Sequence, residues 1–373
     1  MRILMTNHRM GNPGGTELFV LEVAAALKAL GHEVCVFSTV AGGISARREE
    51  GGIAVVTDPC RCPFEPEIIH GQHHLEAMTA LCAWPRTPAI YFVHGATPWE
   101  ESAPRHPRIA RYLGTSPRFG WMVARACGIK EEELVVAPNF FDAKRFDRIR
   151  DSNAKTGRAL VFHNTLKPGG PAHAALQQAC NEAGLMLEGA GVSFGRVLEH
   201  PETELPNYDV VFAGGRSAIE AMACGCAVIP VTAEQSGEWV RPENYDDMAM
   251  RNFTAEINAP PADAAEILRE LRQITPAAVA AVTRRIRSEA RIERTLEILL
   301  ESYRAAIAAS LPEDPAAEAQ AVGAYLLNLA QRVKEVDDKR AELLEQKHKA
   351  QARAERWKKT AGEQPALLRW LAG

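Results

Sequence analysis

Apolar residues recur along this chain in short blocks separated by polar turns and amphipathic stretches. Ile3-Leu4-Met5 is the first block, and a loop from His8 to Gly15 with Gly11, Pro13, Gly14 and Gly15 follows it. Val20, Val23, Ala24 and Leu27 then repeat at i, i+3, i+4 and i+7. That spacing predicts a helix over 16–30, with Gly31 as its C′ residue. Val34-Cys35-Val36-Phe37 is the next block. Strand, loop, helix and strand make a βαβ unit, which builds a parallel sheet with a right-handed crossover.

The pattern continues through Ile53–Val56, Ile68-Ile69, Ala89–Val93 and Leu134–Val136, all reading as buried strands. Pro138–Asp142 reads as a turn, and the polar stretch 148–157 (RIRDSNAKTG) as a linker. The pattern then restarts. Ala159–Phe162 is a strand, His163–Gly170 a loop, and a helix with Pro171 near N1 ends before Gly184. Strand, loop, helix and strand recur across Asp209–Pro230. The expected architecture is therefore α/β: two successive Rossmann-like domains with parallel sheets, over 1–150 and 157–311. Residues 262–310 read as Ala-rich helices.

From Pro312 the character changes, and 315–373 read as a helical appendage. Leu326, Leu329, Val333 and Val336 keep a 3–4 spacing; Arg340 and Leu343 follow, and the seam then fades. The end is basic, with Lys347, Lys349, Arg353, Arg356, Lys358 and Lys359, and carries Trp357, Leu367, Leu368 and Trp370. Such a helix can dimerise as a short coiled coil, lie on anionic lipid, or stay solvated.

Composition narrows the function classes. With 373 residues, 46% apolar and a formal charge of −4, the chain is globular and offers no whole-protein reason to bind nucleic acid. No apolar run approaches the roughly 20 residues a membrane span needs. The N-terminus lacks a signal-peptide pattern, so a cytoplasmic location is expected, with peripheral contact at the inner face of the cell membrane as the alternative. Eight cysteines, including Cys60-Arg61-Cys62 and Cys224-Gly225-Cys226, have no zinc-framework spacing and read as reduced, mostly buried thiols. His73 and His74 are likewise not read as metal ligands.

The segment richest in chemistry is Tyr208–Pro230. A strand feeds Gly214-Gly215 and then a helix with Arg216, Ser217 and, one turn in, Glu220. Turn amides and the positive helix end form an anion site, and a carboxylate beyond it suits a ribose diol. An ordinary βαβ turn with a solvent-facing Glu220 fits the residues equally well.

Ile219–Ile229 (IEAMACGCAVI) resembles the "EAMACGxPVI" signature of retaining glycosyltransferases of family 4. Gly14-Gly15-Thr16-Glu17 resembles that family's N-terminal Gly-Gly loop, Val93-His94-Gly95 its "vHg" strand end, and Thr115-Ser116 its "vS" element. Pro138–Asp142 with Phe146 resembles "pNgvD…F", and Leu160–Gly169 stands where the "vGRl…KG" loop does. The six landmarks fall in the family's order over residues 1–310. Two features depart from it. Phe212 stands where the first Glu of the Glu-x7-Glu motif belongs, and His163-Asn164 replace the loop Gly-Arg. Gly214–Glu220 looks like a variant "GRxAxEA" branch.

The resemblance implies a GT-B fold and transfer of a sugar, with retention, from a UDP- or GDP-linked donor to a glycan or glycolipid hydroxyl in bacterial surface polysaccharide synthesis. It implies no metal and no cofactor. Glu220 would hold the ribose; Lys167, Asn164, Gly214, Gly215, Arg216 and Ser217 the diphosphate side. Gly14 and Gly15 would approach the phosphate from the other domain, and His94 would flank the reacting sugar. Glu100 and Glu101 read as a solvated loop, with an acceptor contact as the alternative. Two rival readings are a nucleotide-sugar epimerase of the same fold and a non-catalytic scaffold that presents its helix to partners.

Overall fold

The computed structural model describes residues 1–11, 14–42, 52–95, 99–256, 258–309 and 314–371. Pro13, Pro98, Pro312 and the side chains of Lys359, Leu367, Leu368 and Trp370 lie outside the described residues.

The first half carries β1 (Arg2–Thr6), β2 (Arg9–Met10), β3 (Glu33–Phe37), β4 (Val40–Ala41), β5 (Ala54–Val56), β6 (Ile68–Gly71), β7 (Ala89–Val93), β8 (Ile109–Gly114) and β9 (Leu134–Val136). Seven of them form one sheet in the order β5-β3-β1-β6-β7-β8-β9, and β2 pairs with β4 separately. Every pairing is parallel; Leu4 on β1 lies opposite Cys35 on one side and Ile69 on the other. The helix Gly15–Ala29 buries Phe19, Val20, Val23, Ala24 and Leu27, and Gly31 follows it at φ 84. That apolar stripe is the one its spacing dictates.

The second half restarts with β10 (Arg158–Phe162), β11 (Met186–Ala190), β12 (Val210–Ala213) and β13 (Ala227–Pro230), in the order β11-β10-β12-β13 and again all parallel. Val211 and Ala213 enter one apolar core and Val210 and Phe212 another, as period-two alternation demands. Both faces being covered, β12 is apolar throughout.

One helix crosses back. Ile292–Ala308, the last helix of the 157–311 segment, places Ile292, Leu296, Leu299, Tyr303 and Ala306 in the core of the first sheet with Ile3, Met5 and Ile68. Full burial of a side chain such as Leu299 stabilises by about 1.5–3 kcal/mol. Tyr303 Oη and His70 Nδ1 share a buried hydrogen bond of 2.5 Å.

A second compact unit comprises Arg105–Pro107 and Glu313–Gly373. Its helix spans Pro315–Leu371, 57 residues, which is about 85 Å at 1.5 Å per residue. Leu326, Val333, Val336, Leu343 and Trp357 on it are exposed. No helix among the described residues is long and apolar enough to cross a membrane. The eight cysteines are free; Cys35, Cys180, Cys224 and Cys226 are buried, whereas Cys60 and Cys82 are exposed rather than packed away.

Candidate functional site

In an open parallel sheet, a crevice forms where strand order reverses, beyond the carboxyl ends of the strands. The first sheet reverses between β1 and β6 and the second between β10 and β12. Both crevices hold residues singled out from the sequence.

In the second half, β12 ends at Gly214-Gly215 and the helix Arg216–Ala223 begins. A Cβ on Gly214 would stand 3.1 Å from the Val231 carbonyl oxygen. Gly215 holds φ 58 and ψ −130, and its Cβ position lies 3.3 Å from Asn252 Nδ2. Asn252 Oδ1 accepts from Asn139 Nδ2 at 3.0 Å, so a residue preceding the linker braces the turn. No side chain caps the helix, and the first-turn amides, Ser217 among them, have no intrahelical acceptor.

Glu220 is buried rather than facing solvent. It accepts from Arg216 Nε at 2.8 Å. Arg216, with 9% of its side chain exposed, also donates through Nη2 to Glu22 of the helix Gly15–Ala29. Its guanidinium lies 5.3 Å from the Phe140 ring centroid. Glu22 accepts from Arg145 Nη1 at 3.2 Å, and Arg145 Nε donates to Glu202 at 2.9 Å. Burial opposes the Arg216 charge, but Glu22 and Glu220 more than offset it, and the guanidinium is held more firmly protonated than usual. Burial pushes the Glu220 carboxyl up, against the pull of Arg216.

The loop after β10 turns on His163, whose Nδ1 accepts from the Leu166 amide at 3.1 Å. Asn164 bonds to the segment after β11: its Oδ1 accepts from Val192 N–H at 3.2 Å and its carbonyl from Ser193 N–H at 3.1 Å. Lys167 is exposed, and its carbonyl accepts from Gly170 N–H at 3.1 Å where the helix Pro171–Glu182 begins. Phe212, which stands where the family has its first carboxylate, is fully buried in β12.

In the first half, the crevice collects His8, Gln72, His73, His94 and Glu101. Thr6 Oγ1 donates to the Gln72 carbonyl at 2.7 Å and accepts the Gln72 N–H at 2.9 Å, which ties the ends of β1 and β6. Gln72 Oε1 faces His94 Nε2. Burial lowers the His94 pKa to about 4, so the ring is neutral at pH 7. Phe19 and Phe92 each lie 4.7 Å from it, centroid to centroid.

Glu101 is not a solvated loop residue. It is buried, accepts the His94 N–H at 2.9 Å and faces His73 Nε2 at 3.6 Å. Burial opposes its charge, and the contacts from His73 and His94 more than offset this, so its carboxyl lies below the usual range. His73 precedes the helix His74–Ala83 at φ 58, and its Nδ1 accepts from His8 N–H at 2.9 Å. Asn7 Oδ1, Gln72 Nε2 and Glu76 Oε2 are buried polar atoms without a hydrogen-bond partner among the described residues. No cluster there of three or more His, Cys, Asp or Glu side chains could hold a metal ion. Gly14 caps the helix Gly15–Ala29, and a Cβ on it would collide with the Glu17 carboxylate, which folds back over that helix start.

The structure brings Gly214, Gly215, Arg216, Ser217 and Glu220 together around one turn. Sequence reasoning missed Glu22 and Arg145, whose pairings span 194 and 123 residues and leave no local pattern.

Residues 13–145 match the profile of glycosyltransferase family 4. No curated protein sequence matches the chain. Among solved structures, HepE from Anabaena in complex with UDP-glucose is similar, with a TM-score of 0.61 and 14% identity over 82% of this chain and 100% of that one. A glycosyltransferase from Rickettsia africae gives 0.59 and 14% over 83% and 99%. The lipopolysaccharide outer core galactosyltransferase WaaB gives 0.51 and 11% over 82% and 99%. At these identities the likeness is one of fold, and the fold is GT-B.

Proposed function

We propose that the chain is a metal-independent, retaining glycosyltransferase that moves a sugar from a nucleoside-diphosphate donor to an acceptor hydroxyl. The observation that carries this reading is the Gly214-Gly215 turn at the reversal point of the second sheet, with buried Glu220 one turn into the helix behind it. The family match over residues 13–145 and the GT-B fold support it. The Anabaena neighbour's UDP-glucose favours a UDP-linked donor, and the lipopolysaccharide transferase favours a bacterial surface glycan as acceptor.

In this reading Glu220 receives Arg216 on one oxygen and a ribose hydroxyl on the other. The leaving diphosphate gains charge as the glycosidic bond breaks. The amides at 215–217, buried Arg216 and exposed Lys167 meet that charge. Gly15, with open space where a side chain would stand, lets the first half approach the phosphates, whereas the Glu17 carboxylate fills the space beside Gly14. Neutral His94, held by Gln72 and Glu101, flanks the sugar, and the acceptor's hydroxyls satisfy the unpartnered Asn7, Gln72 and Glu76 atoms.

A thermal-shift series with UDP, GDP, ADP and CMP tests the donor site. One nucleotide at a hundred times its Kd stabilises by about 2.7 kcal/mol, and Glu220→Ala loses the shift. No shift with any nucleotide, on folded protein, overturns the reading. Retention is read from the anomeric coupling constant of the product by NMR.

A further inference from the structure

We propose that Glu22 competes inside the protein with the donor diphosphate, its carboxylate occupying the face of Arg216 that the diphosphate takes. This rests on the donor reading of the Gly214–Glu220 segment.

Arg216 has one satisfied and one unsatisfied end. Nε donates to Glu220 at 2.8 Å and Nη2 to Glu22, while Nη1, buried, finds no hydrogen-bond partner among the described residues. A guanidinium presents a planar fork of donors that phosphate fills with two parallel bonds. The contacts made by Glu22 leave half of that outer fork unpaired, so the carboxylate is a poorer match than a phosphate.

Charge runs the same way. Glu22, Glu202 and Glu220 face Arg145 and Arg216, and Glu202 Oε1 also lies 3.2 Å from His200 Nδ1; counting the carboxylates and guanidiniums alone, three negative groups meet two positive ones. A diphosphate brings at least two more negative charges. It cannot join the cluster with Glu22 in place without stacking anions around a single buried cation. Glu22 has somewhere to go: Arg145 Nη1 already holds its other oxygen at 3.2 Å. Displacement then exchanges one anion for another on Arg216 and strands no charge. Because Glu22 belongs to the first-half helix Gly15–Ala29 and Arg216 to the second half, the exchange also replaces a direct tie between the halves by one made through the ligand.

The test compares the Kd of UDP, GDP and inorganic pyrophosphate for the full chain, Glu22→Gln and Glu202→Gln, alongside the Tm of each ligand-free protein. Glu22→Gln keeps the shape and loses the charge. It is expected to lower Tm without ligand and to tighten pyrophosphate and the preferred nucleotide about tenfold. Glu202→Gln removes the same charge without freeing Arg216 and should shift Kd by less than about threefold. Glu22→Ala should follow Glu22→Gln in direction. Equal or weaker binding by both Glu22 variants, with Tm lowered, makes Glu22 a structural tie only and overturns the proposal. Equal tightening by Glu202→Gln does so too, since a general field effect then suffices. If pyrophosphate tightens on Glu22→Gln while neither nucleotide binds any variant, the competition stands and the donor reading falls.

Discussion

Gly215 shows how much a single backbone conformation can decide. At φ 58 and ψ −130, with Asn252 Nδ2 close to where a Cβ would sit, a side chain there is strained and crowded. Gly215→Ala is expected to cost about 1–3 kcal/mol in urea unfolding and to weaken nucleotide binding together with stability. His70 makes a second residue-scale prediction. Burial, aided by the charge of His94, lowers its pKa to about 3. An unfolded histidine takes its proton near pH 6.5, so below that pH the unfolded chain binds more protons than the folded one. Stability is therefore fully present above pH 6.5 and is lost as the pH falls towards the folded value. Between pH 7 and pH 5 the loss from His70 is about 2 kcal/mol, and His70→Asn should flatten the acid limb of a stability profile by that amount. The legible residues were those whose chemistry is local. Gly214, Gly215 and Glu220 fall at fixed offsets around one turn. Glu101 reads from sequence as loop, because only folding buries it against His73 and His94.

At the scale of elements, the helix Ile292–Ala308 carries the sharpest consequence. Leu299→Ala should cost about 2–5 kcal/mol, and its effect belongs to the first sheet although the residue lies far along the chain. Tyr303→Phe strands the buried His70 Nδ1 and should cost about 1–3 kcal/mol, measured by urea unfolding at pH 7. Regular elements with clean periods were legible: the helix Gly15–Ala29 and strands β1, β3, β7, β10, β12 and β13 fall where the apolar blocks stand. β8 escaped notice because Arg111 interrupts its apolar run, and β11 because Met-Leu-Glu-Gly-Ala has weak strand propensity, which a position at the sheet's edge tolerates. The packing partner of Ile292–Ala308 was not legible either. Its stripe at 292, 296, 299, 303 and 306 specifies a buried face but not the sheet that covers it.

For the whole molecule, the order of elements in sequence is not their order in space. Residues 1–150 alone lack the helix that completes their core, and Ile3, Met5 and Ile68 would lose apolar partners. That fragment should bind a hydrophobic dye and lack a cooperative melt, whereas the same fragment supplied with a 290–309 peptide should recover one. The chain thus passes between the halves twice, once through 138–157 and once through 290–292. The two passages are stitched side by side: Phe141 N–H donates to the Ala290 carbonyl at 2.9 Å, and Ile292 N–H to the Phe141 carbonyl at 3.3 Å. A single thread would let one half swivel freely on the other. Two threads fastened together resist twist more than one does. The paired strands of backbone therefore hold the orientation of the two halves more firmly than either passage would alone.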